Sequence, residues 1–189
     1  MAPRWDELSA AGDAQAVAER FVAESVTFPA RRILDAGCGT GILLATLRRS
    51  APHAQIVEFD LAESMLLCHR GRDAGSLVDY VCGDALHPPF APGAFDVVLC
   101  FGVLPHLAPI EAALRELLAC LRPGGLLSIG HAMGSAELNA FHATLDPVVA
   151  GDRLPKADEL ASMLRSLGAI VVRAEEAPDR YFVQARSPS

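Results

Sequence analysis

The chain has 189 residues, of which 51% are hydrophobic and 21% charged, and its formal net charge is −7. This length predicts one domain with a full hydrophobic core, and the composition is that of a globular chain rather than a disordered one. No apolar run approaches the roughly 20 residues that a membrane span needs, so we expect no membrane contact. A net negative charge opposes binding to a polyanion, which argues against a nucleic-acid partner.

The cysteines are odd in number and include no Cys-x-x-Cys pair; they are Cys38, Cys68, Cys82, Cys100 and Cys120. Most lie within or beside apolar runs, where reduced and buried thiols are found in cytoplasmic proteins. The N-terminal residues carry no apolar core of a secretory signal. We therefore expect a cytoplasmic location, and we expect no metal site because the spacing provides no zinc ligand set.

Hydrophobic periodicity predicts helices that alternate with short buried strands along the chain. The predicted helices cover residues 14–24, 42–50, 62–67, 110–121, 136–145 and 158–167. The predicted strands cover residues 32–34, 55–59, 76–81, 95–100, 126–129, 170–172 and 181–183. Turns are expected at 122–125 and at 175–179, the second of which joins the last two strands. Strands that alternate with helices are typical of a parallel sheet covered on both faces.

Between the first strand and its helix, Asp35 is followed by glycines at alternate positions, Gly37, Gly39 and Gly41. A strand, a glycine turn and a helix allow a ligand to lie against bare backbone. The spacing Gly-x-Gly-x-Gly differs from the Gly-x-Gly-x-x-Gly that binds a dinucleotide pyrophosphate. Because a carboxylate at the strand tip also repels phosphate, the loop favours an uncharged or cationic nucleoside. The alternative is a tight turn in which the glycines serve only close packing.

Two further acids follow predicted strands. Asp60 ends the second strand at the distance from the glycine loop where nucleotide-binding α/β folds place an acid for the ribose hydroxyls. Its alternative role is to cap the helix that follows. Asp84 lies just beyond the third strand, where an acid can accept a hydrogen bond from an adenine amino group. Glu58 lies on the same face of its strand as Asp60, since side chains alternate along a strand.

Five segments together resemble the class I S-adenosylmethionine-dependent methyltransferases, particularly those that act on small molecules. The segments are residues 33–41, 60–66, 83–85, 89–90 with 95–98, and 121–125. The resemblance implies an α/β fold with a Rossmann-like, doubly wound sheet of seven strands, mostly parallel with the last strand antiparallel. One departure is Glu58, where the family usually has a small residue, and we expect it to alter the packing beside the ribose.

The resemblance also implies that S-adenosyl-L-methionine lies across the carboxyl ends of the first four strands. It assigns the methionine end to the glycines, the ribose to Asp60, and the adenine to Asp84 and Ala85. It places Cys100 and Phe101 beside the sulfonium. The complete predicted binding set is Asp35, Gly37, Cys38, Gly39, Thr40, Gly41, Asp60, Leu61, Met65, Asp84, Ala85, Cys100 and Phe101.

Two histidines fall at the carboxyl side of the predicted sheet, His106 after the fourth strand and His131 after the fifth. Each is a candidate catalytic base for a hydroxyl acceptor, because histidine titrates near neutral pH. The alternative is that His106 packs under its loop and that His131 lines the pocket as a polar residue. His142 is a further candidate for the pocket wall. The remaining histidines are expected on surface loops or at helix ends: His53, His69 and His87.

We interpret residues 1–189 as one methyltransferase domain, with an N-terminal helical cap at 1–29, a core at 30–185 and a candidate substrate-side insertion at 132–157. The expected function is methyl transfer from S-adenosyl-L-methionine to an O, N, S or C nucleophile of a small molecule, mainly by proximity and in-line orientation. The alternative is a cofactor-binding protein with a non-methylating role, in a cyclisation or as a partner subunit. We expect a monomer or a homodimer.

Overall fold

The computed structural model describes residues 12–70, 77–145 and 151–188. The helices are α1 (Gly12–Ser25), α2 (Leu44–Ser50), α3 (Glu63–Arg70), α4 (Ile110–Ala119), α5 (Ser135–His142) and α6 (Ala157–Ser166), with a 3₁₀ helix at Leu104–His106. The strands are β1 (Arg32–Ala36), β2 (Gln55–Asp60), β3 (Val78–Cys82), β4 (Phe95–Phe101), β5 (Leu121–His131), β6 (Ile170–Ala177) and β7 (Arg180–Arg186). Residue 76, where the third strand was predicted to start, and parts of the predicted cap and insertion lie outside the described residues.

All seven strands form one sheet in the order β3-β2-β1-β4-β5-β7-β6. Strands β1 to β5 pair in parallel, and β7 runs antiparallel to both of its neighbours. The predicted fold class, with an antiparallel last strand, is therefore confirmed. The strand order reverses between β1 and β4, and ligands of open α/β sheets bind outside the carboxyl ends of the strands at such a switch point.

Helices cover the sheet on both faces. The position of β4 between these two layers explains why its sequence is almost continuously apolar. Val97 and Leu99 face one core cluster, whereas Val98 and Cys100 face the other, and all four are completely buried. Helices α1 and α2 contribute to the first cluster, and α4 and α6 contribute to the second. A strand covered on both faces has no solvent side, so alternation with polar residues is lost. No helix within the described ranges has the length and apolar character needed to cross a bilayer.

Two connections differ from the sequence prediction. Residues 122–125, predicted as a turn, lie inside β5, because β5 already pairs with β4 at Leu121 and then shifts register before Leu126. Gly124 takes up the shift at a φ of 74°, a left-handed conformation that favours glycine. Strand β6 continues to Ala177, so that only two residues, 178 and 179, join the last two strands.

Glu176 on β6 holds both helices of the segment that follows β5. Its carboxylate accepts hydrogen bonds from the backbone N–H and the hydroxyl of Ser135, at the start of α5, and from the backbone N–H of Ala157, at the start of α6. Partial burial works against ionisation, but these hydrogen bonds prevail and keep the pKa of Glu176 below its usual value. One acid on the strand therefore satisfies orphan N–H groups of two helix N-termini.

We expect Glu176→Gln to lower the free energy of unfolding at pH 7 by about 1 kcal/mol, because the neutral amide accepts these hydrogen bonds less strongly. Since the folded-state pKa lies below the ordinary value of 4.5, the difference from wild type should be present above that pH and vanish as the pH falls through the lowered pKa. Urea denaturation at several pH values measures it. Asp179→Asn, an exposed change in the β6–β7 turn, is the control, and an equal loss in both variants would contradict the capping role.

Candidate active site

The glycine loop after β1 combines close packing with an open surface. Gly37, Gly39 and Gly41 all have φ between 54° and 87°. A Cβ atom at Gly37 would come within 2.5 Å of the Val103 side chain, whereas a Cβ at Gly39 would meet no atom within 4 Å. The loop is fixed to β2 by the N–H groups of Gly37 and Cys38, which both donate to the carbonyl of Phe59. Gly37 is therefore required for packing, and Gly39 exposes bare backbone to open space.

Asp60 connects the end of β2 to this loop. Its Oδ2 accepts a hydrogen bond from the N–H of Gly39 at 2.8 Å, and its Oδ1 accepts one from the N–H of Ala62 at 2.8 Å, just before α3. A carboxylate oxygen has two lone pairs, so each oxygen retains one for a ligand hydroxyl. The two roles considered from the sequence, helix capping and ligand contact, are thus compatible. Leu61 is 71% exposed beside it, and Met65 is half-buried on α3.

Asp35 is a buried acid at the end of β1, only 2% exposed. Its Oδ2 has no hydrogen-bond partner among the described residues. Burial, followed by the charges of Glu58 and Asp60, raises the pKa of Asp35 well above its ordinary value. An orphaned carboxyl oxygen with a raised pKa is suited to a ligand that brings a positive charge, since such a charge restores the ionised form.

The ends of β3 and β4 complete this edge of the sheet. Asp84 accepts a hydrogen bond from the N–H of Leu86 at 2.9 Å and remains partly exposed, whereas Ala85 is buried. Gly83 packs closely, because a Cβ there would lie 2.8 Å from the Phe59 ring. After β4, Gly102 has a φ of 70° and, like Gly39, has nothing within 4 Å of an added Cβ.

Cys38 and Cys100 lie at this edge but are not reactive thiols. Both are buried, and burial together with the nearby charge of Asp35 raises the pKa of each thiol far above neutrality. A buried thiol with a raised pKa is not a nucleophile, because only the thiolate is. Phe101 is half-buried, and its ring packs against Phe21 of α1 with centroids 4.9 Å apart.

His69 lies in the last turn of α3, at a helix end as the sequence predicted, but it is buried rather than at the surface. His69 is 3% exposed, and its Nε2 lies 3.0 Å from Oε2 of the fully buried Glu58. Its ring packs edge-on against Tyr80, and a Cβ at Gly41 would lie only 2.0 Å from it. Glu58, which departs from the family pattern, is therefore paired with His69 beneath the glycine loop. The signal in the sequence was the acid itself, because a buried acid requires a donor nearby.

A group of histidines lies after β4 and β5. Nδ1 of His106 is 2.6 Å from Oδ2 of Asp152, and the rings of His106 and His142 are 5.5 Å apart. Nδ1 of His142 lies 2.9 Å from the backbone carbonyl of Asp152. Sequence reasoning did not identify Asp152, which follows α5 and is 46 residues from His106. The two predicted catalytic histidines are near one another and share His142 as a neighbour.

His131 differs from His106 in its hydrogen bonding. Its Nδ1 accepts a hydrogen bond from the N–H of Met133 at 3.1 Å, so the ring proton of the neutral form sits on Nε2. Burial, followed by the neighbouring His142 and His106, lowers the pKa of His131 to about 4. At neutral pH His131 is therefore a neutral donor and a weak base.

The chain matches the family described as a methyltransferase domain over residues 34–129, which is just over half of its length. It therefore belongs to the S-adenosylmethionine-dependent methyltransferases of class I. The resemblance found in the sequence is therefore confirmed, and the enzymes of this family transfer methyl groups.

Three known proteins illustrate the range of this similarity. The ubiquinone/menaquinone biosynthesis C-methyltransferase UbiE of Dinoroseobacter shibae is 39% identical over 105 residues, 53% of this chain and 42% of that protein. The malonyl-[acyl-carrier protein] O-methyltransferase of Herminiimonas arsenicoxydans is 35% identical over 138 residues, 73% of this chain and 51% of that protein. The chain thus spans about half the length of these relatives. In fold it also resembles the [4+2]-cyclase SpnF, at a TM-score of 0.75 and 21% identity over 93% of this chain and 82% of that one.

We expect His69→Leu to lower the free energy of unfolding by about 3–5 kcal/mol, because it leaves the buried Glu58 carboxylate without its partner. The double variant Glu58→Leu with His69→Leu should recover most of this loss, since an apolar pair of similar volume needs no compensating charge. Urea denaturation of the wild type and both variants measures the effect. A double variant no more stable than His69→Leu would contradict the pairing.

Proposed function

We propose that the chain binds S-adenosyl-L-methionine across the carboxyl ends of β1 to β4 and transfers its methyl group to a small-molecule acceptor. The observation that carries the proposal is the buried Asp35, whose Oδ2 lacks a partner beside backbone that is open at Gly39. The donor carries an ammonium and a sulfonium, and positive charge is what a buried acid with a raised pKa stabilises. When bound, the donor supplies a methyl group on a leaving group that is already activated.

In this proposal, each group of residues at the carboxyl edge of the sheet binds one part of S-adenosyl-L-methionine. The loop of Gly37, Cys38, Gly39, Thr40 and Gly41 lies along the methionine end, with Asp35 beneath it. The lone pairs left on Asp60 accept the ribose hydroxyls, and Leu61 and Met65 flank them. Asp84 and Ala85 contact the adenine, and Cys100 and Phe101 lie beside the sulfonium. Gly102 adds a second patch of open backbone next to Phe101.

The main contribution of the protein to methyl transfer is to position the donor and the acceptor. A displacement at carbon needs the nucleophile, the methyl group and sulfur in line at near-attack distance, and holding them so supplies much of the acceleration. We infer that the acceptor lies at the ends of β4 and β5, next to helix α5, the first residue of which is held by Glu176. His106 and His131 lie at this end, and the N-terminal cap reaches it through the contact of Phe21 with Phe101.

The relatives support a small organic acceptor. One is named as a C-methyltransferase of ubiquinone/menaquinone biosynthesis. The other is named as an O-methyltransferase of malonyl-[acyl-carrier protein], in which the malonyl group is attached to a carrier protein. The net charge of −7 supports the same choice over a nucleic acid. The acceptor atom is to be determined by experiment. We also propose that the protein is cytoplasmic and that it is a monomer or a homodimer.

Donor binding should depend on pH through Asp35. Because the pKa of Asp35 is raised, its carboxyl keeps a proton to a higher pH than an ordinary aspartate, and a bound cation releases it. We expect affinity for S-adenosyl-L-methionine to rise as the pH increases above the ordinary aspartate value of 3.8 and through the raised pKa of Asp35, with proton release on binding, and both effects to vanish in Asp35→Asn. Isothermal titration calorimetry in buffers of different ionisation enthalpy measures both. Asp79→Asn, an exposed change on β3, should behave as wild type, and unchanged affinity in Asp35→Asn would contradict the assignment.

Methyl transfer itself is tested with a methyl-labelled donor and a panel of small acceptors bearing O–H, N–H, S–H or acidic C–H groups. We expect label in at least one class of product, with equal formation of S-adenosylhomocysteine. Asp35→Asn should lower this turnover, and Asp79→Asn should not. Donor binding without transfer to any class would replace the proposal by the non-methylating alternative, for which the cyclase of similar fold is the precedent.

A further inference from the structure

We propose that a cavity at the amino-terminal edge of the sheet binds the phosphate group of a small-molecule phosphate monoester. This binding site is separate from the proposed donor site and goes beyond the proposed function. The cavity lies where β1, β4 and β5 begin, and its volume of about 400 Å³ is within the range of small-molecule sites. Its charged lining residues are Arg31, Arg32, Asp96 and Arg122.

Asp96, the one acid among the residues that line the cavity, has partners for both of its oxygens. Its Oδ2 accepts hydrogen bonds from the backbone N–H groups of Arg31 and Arg32 at 2.8 and 2.9 Å, and its Oδ1 accepts one from Nε of Arg122. Partial burial works against ionisation, but these hydrogen bonds prevail and keep the pKa of Asp96 below its usual value. Asp96 is therefore ionised at neutral pH and joins the starts of β1, β4 and β5.

The arginine side chains at the cavity keep donors for a ligand. In the part of the chain that the structure describes, the guanidinium groups of Arg31 and Arg32 form no hydrogen bond or ion pair, because only their backbone N–H groups contact Asp96. Arg122 uses Nε for Asp96 and Nη1 for the carbonyl of Pro123. Three guanidinium groups and one carboxylate leave two positive charges at the cavity, in a chain whose net charge is −7.

Aromatic rings hold two of these guanidinium groups in place. Cζ of Arg32 lies 5.1 Å from the centroid of the Phe95 ring, and Cζ of Arg122 lies 5.8 Å from that of Phe28. Phe95 is buried, so the ring beneath Arg32 belongs to the core. A stacked guanidinium has an aromatic ring on its flat face and keeps its N–H groups at the edge for an anion. The site is therefore partly preorganised, which lowers the entropy lost on binding.

The charge of the cavity indicates a dianion. A phosphate monoester carries a charge of about −1.5 to −2 at neutral pH, because its second pKa is near 6, and this matches the two positive charges. A phosphodiester or a monocarboxylate carries one negative charge and would leave one positive charge unbalanced. The planar guanidinium also presents two N–H groups to two phosphate oxygens at once. Pro29, Ala94 and Phe95 add apolar surface for a small organic group on the phosphate.

The cavity lies at the opposite edge of the sheet from the proposed donor site. Phe95 at the cavity and Phe101 at the donor site are the first and last residues of β4, about 20 Å apart at the usual rise per residue. S-adenosyl-L-methionine carries a sulfonium and an ammonium, which the positive cavity repels. The two sites can therefore be tested separately in the same protein.

The test is a calorimetric titration of the full chain with inorganic phosphate and with phenyl phosphate at constant ionic strength. We expect saturable binding that strengthens from about pH 5 to 8, because the probes gain their second charge over this range. The double variant Arg31→Gln with Arg32→Gln keeps the backbone hydrogen bonds to Asp96 and should lower the affinity about 10-fold or more. The control, Arg115→Gln with Arg165→Gln, removes the same charge from exposed helix positions and should bind as wild type.

A second measurement locates the site. In ¹⁵N NMR spectra we expect phosphate to shift the Nε–H signals of Arg32 and Arg122 and the backbone amide of Ala94, and to leave the amide of Gly39 in the glycine loop unchanged. Shifts that spare the first three groups would overturn the inference.

Three further outcomes of the titration would contradict the proposal. An equal loss of affinity in both double variants would show that only the overall charge matters. Equal affinity for dimethyl phosphate, a diester with one charge, would overturn the monoester class. A chain that binds S-adenosyl-L-methionine but not phosphate would overturn this inference alone, whereas a chain that binds phosphate but not S-adenosyl-L-methionine would overturn the proposed function alone.

Discussion

The structure depends on a concentration of acidic side chains where β1 and β2 end. Asp35 and Glu58 are paired in the parallel register of these two strands, and Asp60 follows two residues later. Two of these acids are buried, and buried negative charge is tolerated only with donors or cations nearby. Each acid has a different set of hydrogen-bond donors nearby. Glu58 has His69 for one of its oxygens, and Asp60 has the backbone of Gly39 and Ala62. Oδ2 of Asp35 and Oε1 of Glu58 have no hydrogen-bond partner among the described residues.

The fold, and the position of the glycine loop and Asp60 at one edge of the sheet, were predictable because their signals are local. The alternating glycines after Asp35 and the acid at the end of β2 are read from a few adjacent residues, and parallel pairing then brings them to one edge. Contacts between distant residues were not predictable in this way. The pairing of Glu58 with His69 depends on how α3 packs on β2, and that of His106 with Asp152 joins a short 3₁₀ helix to a residue outside the helices and strands. The register shift in β5 was missed because Gly124 and Gly125 are equally typical of a turn.

After β5, a series of hydrogen bonds runs from the sheet to the histidine group. Glu176 fixes the start of α5, the end of α5 fixes the residues around Asp152, and Asp152 contacts His106. Each step is a hydrogen bond with one partner on a regular element. The proposed acceptor site lies beside this frame and the proposed donor site lies at the ends of β1 to β4, so the two can differ in sequence independently. This division agrees with a family in which one fold serves different chemistries.

The burial of Glu58 also constrains how this sequence arose. From an ancestor with a small residue at position 58, as the resemblance implies, acquiring the acid first would have placed an uncompensated charge in the interior. Acquiring His69 first would have added an imidazole ring against Gly41 without a buried acid beside it, a smaller perturbation. The lower-energy route therefore introduces the histidine before the acid, and once both are present, reversion of the histidine alone is selected against. Lineages that share Glu58 should consequently share His69, whereas some with His69 should retain the small residue.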